Sequence, residues 1–138
     1  MVSIQKPHTD NIFNHSKGVE WRTKPMPTGI HYCYETKNGG GIGKVIGEFT
    51  VYRVKKYDAV HFIPNDIVTA GKVSRPFLNA YSKGKPLYAH FIKKPKKYRL
   101  AKPLSDFRKA EMPTGLRYEK DIITRPPQSW CRVEKVDF

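Results

Sequence analysis

Between His15 and Arg22 the chain reads His-Ser-Lys-Gly-Val-Glu-Trp-Arg, so Lys17, Glu20 and Arg22 fall within one short span. Lysine and arginine supply donors for phosphate oxygens or base edges, and a glutamate accepts from an exocyclic amino group. A lysine whose proton affinity is shifted by burial and by a neighbouring carboxylate can also act as acid or base. The span opens a predicted strand, in which side chains alternate between two faces. Val19 and Trp21 then share one face, Glu20 and Arg22 the other. Strict alternation puts Lys17 with Val19. It joins the other two if Gly18 opens a bulge or turn, which a residue without a Cβ does at little steric cost. Burying such a cluster costs several kcal/mol per ion before pairing. It is therefore either a rigid ion-pair network or a cleft for a polar ligand, and the residue types fit both.

A second group is the basic run Lys83, Lys85, Lys93, Lys94, Lys96, Lys97, Arg99 and Lys102, which no acidic residue interrupts. Tyr88, His90 and Tyr98 are interleaved with it. Lysines of this kind contact phosphates without reading sequence, and rings beside them can stack on unpaired bases. The plainer alternative is a strand edge guarded by lysines against aggregation. The whole chain carries 26 Lys+Arg against 12 Asp+Glu, a formal net charge of +14. That balance concerns partners, not fold, and favours nucleic acid or another polyanion. An acidic protein is a further class of partner.

Other chemistries find little support. The five histidines make no metal signature, since His31-x-Cys33 is too short and neither Cys-x-x-Cys nor His-x-x-x-His occurs. His8 and His15 read as surface residues. The glycines from Gly39 to Gly43 lack the spacing of a phosphate-binding loop, and no Gly-x-Ser-x-Gly elbow is present. No metal and no cofactor is expected. Cys33 and Cys131 are too few for a disulfide framework, nothing at the N-terminus reads as a signal peptide, and no apolar run approaches the roughly 20 residues that span a bilayer. A cytoplasmic protein with reduced thiols and no membrane partner is the expectation.

The elements that would position these groups are legible in part. Val2 to Ile4 reads as an edge or closing strand, and Pro7 to His15 as a short helix with Ile12 and Phe13 inward. Ile30, Tyr32 and Tyr34 alternate with His31, Cys33 and Glu35 as a strand. A glycine-rich turn leads to a second strand through Val45, Gly47, Phe49 and Val51, whose phase breaks near Arg53 and Val54, where a bulge or the strand's end is expected. Tyr57 to Ala70 reads as a loop and short helix. Ser74 caps a helix to Tyr81 that Gly84 ends. Leu87, Ala89 and Phe91 make another strand. From Pro95 to Pro127 no period is sustained, and an extended excursion is predicted with a short helix near Leu104 to Ala110. Trp130 to Lys135 alternates as a last strand, and Trp21 and Trp130 are predicted core. Met26-Pro-Thr-Gly29 recurs as Met112-Pro-Thr-Gly115, which is reused turn chemistry and not a repeat architecture. Strands with interspersed short helices indicate an α+β domain, a small curled sheet or barrel.

These residues resemble a known family. Ser3-Ile4, the Lys17-x-x-Glu20-x-Arg22 span, and Tyr34-Glu35-Thr36 before a Gly-rich turn and a Val-Ile-Gly strand are similar to the ASCH family, a branch of the PUA-like fold. The step from Tyr81-Ser-Lys-Gly84 into Leu87-Tyr-Ala-His-Phe91 also fits it. The ending Arg125-Pro-Pro-Gln-Ser-Trp130-Cys resembles that of stand-alone phage and prophage ASCH proteins. The family's motif is written Gly-x-Lys-x-x-Glu-x-Arg, and here His15 replaces the leading glycine. The resemblance implies a small PUA-like β-barrel of about five or six strands with flanking short helices, as one domain over residues 1–138. A basic, Pro-rich excursion at about 93–127 would lie outside its core. It implies RNA as partner, with Lys17, Glu20, Arg22, Tyr34 and Ser129 lining a cleft and the basic run as its surface. Some members are enzymes. Acetylcytidine amidohydrolases carry a lysine where Lys17 stands but a threonine nucleophile in place of Glu20. A carboxylate attacking an amide would form an anhydride, which argues against that activity. The sequence thus points to an RNA-binding module. An RNA- or modified-nucleoside-processing hydrolase using Lys17 with Glu20 and Arg22 is the first alternative, and a phage protein binding an acidic host protein is the second.

Overall fold

The computed structural model describes residues 1–110 and 121–138. Strands β1 (Val2–Ile4), β2 (Val19–Arg22), β3 (Gly29–Glu35), β4 (Lys44–Tyr57) and β5 (Leu87–Lys102) form a mixed sheet in the order β1-β3-β4-β5-β2. β1 runs parallel to β3, and β2 antiparallel to β5. Among the described residues β1 and β2 are the two edges of this sheet and do not pair with each other. Helices α1 (His8–Phe13), α2 (Asn65–Ala70) and α3 (Arg75–Ser82) are short. The class is α+β, as the alternating strand and helix patterns imply.

The best-formed helix follows its punctuation. Ser74 Oγ accepts from the Phe77 amide at 3.2 Å, which satisfies one orphan donor of the first turn. Lys83 ends α3 in the left-handed region, φ 49°, one residue ahead of the expected Gly84.

Four expectations are corrected or narrowed. Of the two outcomes expected where the phase breaks near Arg53 and Val54, a bulge or the strand's end, the second does not occur: β4 continues to Tyr57. Tyr52, Arg53, Lys55 and Lys56 are all exposed there, so strand hydrogen bonds persist where burial no longer imposes alternation. β5 likewise runs through Pro95 to Lys102, where an aperiodic excursion was expected. Lys94 takes φ 52° just before the proline, a local irregularity of the kind that lets a strand carry a residue lacking an N–H. The predicted last strand is not a strand. Trp130 and Val133 make isolated bridges to Val2 and Lys109, and the segment's amides bond Met1 and Arg108 in turn, not one partner ladder. The short helix expected from Leu104 is a single 3-10 turn, Leu104–Asp106. The second Met-Pro-Thr-Gly copy and part of the predicted excursion lie outside the described residues.

By its contacts the chain divides into two compact units. One comprises Met1–Lys6, His31–Glu48 and Lys97–Phe138. Its core gathers Met1, Tyr32, Tyr34, Val45, Tyr98, Phe107 and Ile123, with Cys131, Val133 and Val136 packed against it. The alternation of the C-terminal segment is thus met by packing without a ladder. The other unit comprises Pro7–Ile30 and Phe49–Lys96. Val19, Trp21, Tyr57, Val60, Ile63, Val68, Leu78, Leu87 and Ala89 form its core. All of Lys17, Glu20 and Arg22 belong to this second unit.

Candidate functional site

β2 sends Val19 and Trp21 into the apolar core, which commits Glu20 to the opposite face. Lys17 precedes the strand. Gly18 is tied on both sides, its amide donating to the Ala70 carbonyl at 2.9 Å and its carbonyl accepting from Ile92 at 3.0 Å. That tether takes Lys17 out of the strand's alternation and lets it meet Glu20. Lys17 Nζ lies 3.5 Å from Glu20 Oε1, and an Arg22 guanidinium nitrogen donates to Oε2 at 3.1 Å. The ammonium also donates to the Gly71 carbonyl, at the end of α2, at 2.6 Å.

The cluster is graded in exposure. The Lys17, Glu20 and Arg22 side chains are 1%, 7% and 14% exposed. Burial pulls the Lys17 ammonium below its ordinary pKa, and the Glu20 charge offsets this only in part. Burial alone would raise Glu20, but Arg22 first and Lys17 second hold its carboxyl below the usual carboxylate value. One carboxylate therefore sits between two cations, and Arg22 is the member with most access to solvent.

Three residues that the sequence did not place at the cluster surround it. His90 is register partner of Glu20 across β2 and β5 and is fully buried. The Met26 amide donates to its Nε2 at 2.8 Å, so that nitrogen carries no proton. Nδ1 must then bear the hydrogen that reaches the Glu20 carbonyl at 3.1 Å. Burial holds this ring neutral by lowering its pKa. His8, expected at the surface, is half-buried, and its Nδ1 is buried without a hydrogen-bond partner. Burial lowers its pKa, with Lys17 and Arg22 acting in the same direction. Tyr81 donates to the Trp21 carbonyl at 3.4 Å and lies within the field of Arg22 and Glu20. Phe77 stacks on Tyr81 at 6.0 Å and meets the His8 ring at 6.2 Å. No single-sequence pattern reports His8. The role of His90 is set by strand register, which one sequence does not state.

The remaining expected site residues fall as follows. Lys83, Lys85, Lys93, Lys94, Lys96, Lys97 and Arg99 are exposed, and Lys102 is half-buried. Tyr34 is buried in the first unit's core. The carbonyl of Ser129, an exposed residue of that unit, accepts from the Ser3 amide at 2.9 Å. Of the rings interleaved with the lysines, His90 and Tyr98 are buried. The Tyr98 hydroxyl donates to Glu48 at 2.9 Å. Trp21 is core as expected, but Trp130 is half-buried, with the Arg132 guanidinium 5.8 Å from its ring centre. Among the described residues no three His, Cys, Asp or Glu side chains gather to hold a metal ion, and no helix is long and apolar enough to cross a membrane.

No sequence-family model matches the chain, and no curated protein matches it in sequence. Solved structures do. A serine-to-alanine variant of an ASCH protein from Zymomonas mobilis superposes with a TM-score of 0.71 at 17% identity, covering 99% of this chain and 86% of that one. The unsubstituted ASCH protein from Zymomonas mobilis gives 0.69 at 18% identity, covering 99% and 85%. A tyrosine-to-phenylalanine variant gives 0.69 at 17%, covering 99% and 88%. At this level of identity the likeness speaks for architecture, and it extends over nearly the whole chain: the protein has the ASCH fold.

Proposed function

We propose that this protein is an RNA-binding module of the ASCH, PUA-like type. The observation that carries the reading is the cation row on β5. Lys93, Lys94, Lys96, Lys97 and Arg99 are all exposed, and no acidic side chain stands among them in sequence. Such a row attracts phosphates and releases their counterions, giving affinity that falls steeply with salt. In this reading Lys17 and Glu20 act from within, holding the Arg22 guanidinium in one orientation. Arg22 is the member of the trio that meets the ligand, on a phosphate or a base edge. The test is titration of a labelled structured RNA and a labelled single strand into the purified protein at several salt concentrations. Micromolar or tighter binding that weakens steeply with salt supports the reading. Absence of binding at about 0.1 M salt overturns it.

A second reading, an RNA- or modified-nucleoside-processing hydrolase, is favoured by one feature. Lys17 is a buried amine with a lowered pKa beside a carboxylate, and His8 lies in the field of the same cluster. Titratable groups perturbed in this way recur at catalytic sites and also in structural networks. Turnover of total RNA or of acylated nucleosides, lost in Glu20→Gln while the fold persists, is the result that would put this reading ahead.

A further inference from the structure

A second surface of the same unit has the parts of a base-stacking platform. Tyr52 on β4 is 51% exposed, although large aromatic side chains are usually drawn inward. On the neighbouring strand β5, Phe91 is half-buried, and the two ring centres lie 6.2 Å apart at 52°. Each ring is attended by a cation. Lys93 Nζ stands 5.1 Å from the Tyr52 ring centre, and the Arg53 guanidinium 5.3 Å from that of Phe91. These are not the rings that sequence interleaving suggested. His90 and Tyr98 are inside, whereas Tyr52 comes from the stretch of β4 where burial no longer organises the strand.

From this arrangement we infer that Tyr52 and Phe91 stack unpaired bases of a single-stranded RNA while Lys93 and Arg53 engage its phosphates. The inference rests on the RNA-binding reading and names the form of RNA it takes. The cations do not block the site. An exposed cation–π contact is weaker than the stacking of a base on an aromatic face. A base that takes the Tyr52 face therefore displaces a flexible lysine, whose ammonium is then released to meet a phosphate of the same strand. A duplex keeps its bases stacked on each other and offers nothing to the rings. Exposed tyrosine on a sheet face with cations at its rim is thus matched to a single strand by both shape and charge.

The experiment compares wild type, Tyr52→Ala and Tyr52→Phe by fluorescence anisotropy with a labelled oligouridylate of about twelve nucleotides and with an RNA duplex of equal length. Tyr52 is exposed, and thermal melts verify that both variants stay folded. The expected result is a roughly tenfold weaker hold of Tyr52→Ala on the single strand, with its salt slope unchanged because no phosphate contact is lost. Tyr52→Phe should bind as wild type does, and duplex affinity should be the same in all three. Equal single-strand affinity of Tyr52→Ala and wild type overturns the platform and leaves the RNA-binding reading standing. A wild type that binds neither RNA overturns both.

Discussion

The ammonium of Lys17 donates to the carbonyl of Gly71 at 2.6 Å, and this bond ties the ion cluster to the end of α2. The carbonyls of a helix's last turn lack intrahelical donors and carry partial negative charge, so a cation there is favourable. Gly71, the residue that caps α2, also lies against the core tryptophan. A Cβ at this position would clash with Trp21 Nε1 and come within 2.7 Å of its Cδ1. The backbone at Gly71 is ordinary, φ −83°, so the need for glycine is steric and not conformational.

Gly71→Ala should therefore destabilise the protein by about 1–3 kcal/mol, the usual range for overpacking a filled core. Trp21 is 4% exposed and has little room to retreat. Denaturant unfolding followed by tryptophan fluorescence measures it. A variant as stable as wild type would mean that the indole shifts freely enough to admit a Cβ at position 71.

The Lys17–Glu20 pair allows a second expectation. Lys17→Met leaves a buried carboxylate with Arg22 alone and should cost on the order of 3–5 kcal/mol. The double variant Lys17→Met, Glu20→Gln removes the charge that would be stranded and should recover a large part of that loss. A double-mutant cycle by chemical denaturation reads the coupling directly. Additive losses would show that the two groups do not depend on each other.

Much of this geometry was open to reading in the sequence, and the exceptions share a cause. Val19 and Trp21 announce which face of β2 is buried, and Ser74 with Pro76 announces α3. These features are local, resting on alternation and on a cap. Where β4 leaves the core at Tyr52, alternation stops although the strand does not, and spacing alone leaves open whether the element bulges or ends. Trp130 to Lys135 errs the other way, since its inward residues pack on a core while its amides find several partners. His90 facing Glu20 needed the pairing of β2 with β5. His8 needed the placement of α1. Both are tertiary facts that no spacing in one chain encodes.

His90 makes stability depend on pH in a stated direction. The folded ring is held neutral, accepting from Met26 and donating toward the Glu20 carbonyl, so its pKa lies below the ordinary 6.5. Below 6.5 the unfolded chain takes up a proton that the native state resists, and stability rises with pH across that window. The contribution is complete above about 6.5 and is lost as pH falls through the folded value. Unfolding free energies between pH 5 and 7 should decline toward acid in wild type and decline less in His90→Gln. Equal slopes in the two proteins would remove His90 as the origin.

Lys94 offers a backbone test. Its φ of 52° is one that a residue with a Cβ adopts at a cost. At an ordinary strand position alanine is more stable than glycine. Here the order should reverse, with Lys94→Gly more stable than Lys94→Ala by roughly 1 kcal/mol, since both lose the same charge and only glycine loses the strain. Thermal denaturation of the pair decides it, and the usual order would place Lys94 in ordinary extended backbone.

The cation row makes the last prediction, and salt is its probe. Each lysine that neutralises a phosphate on a single strand contributes about 0.7 to the slope of log affinity against log salt. Replacing Lys93, Lys94, Lys96 and Lys97 with alanine should flatten the slope by up to about 3 if all four make such contacts. All four are exposed, so their loss should leave the fold intact, apart from the Lys94 backbone term. Loss of phosphate contacts lowers affinity most at low salt, and the curves of variant and wild type should converge as salt rises. Loss of a stacked base, by contrast, shifts the curve down in parallel. The two kinds of contact therefore separate on one plot. A quadruple variant with an unaltered slope would mean the lysines only solvate the strand, and that any affinity for RNA comes from elsewhere on the protein.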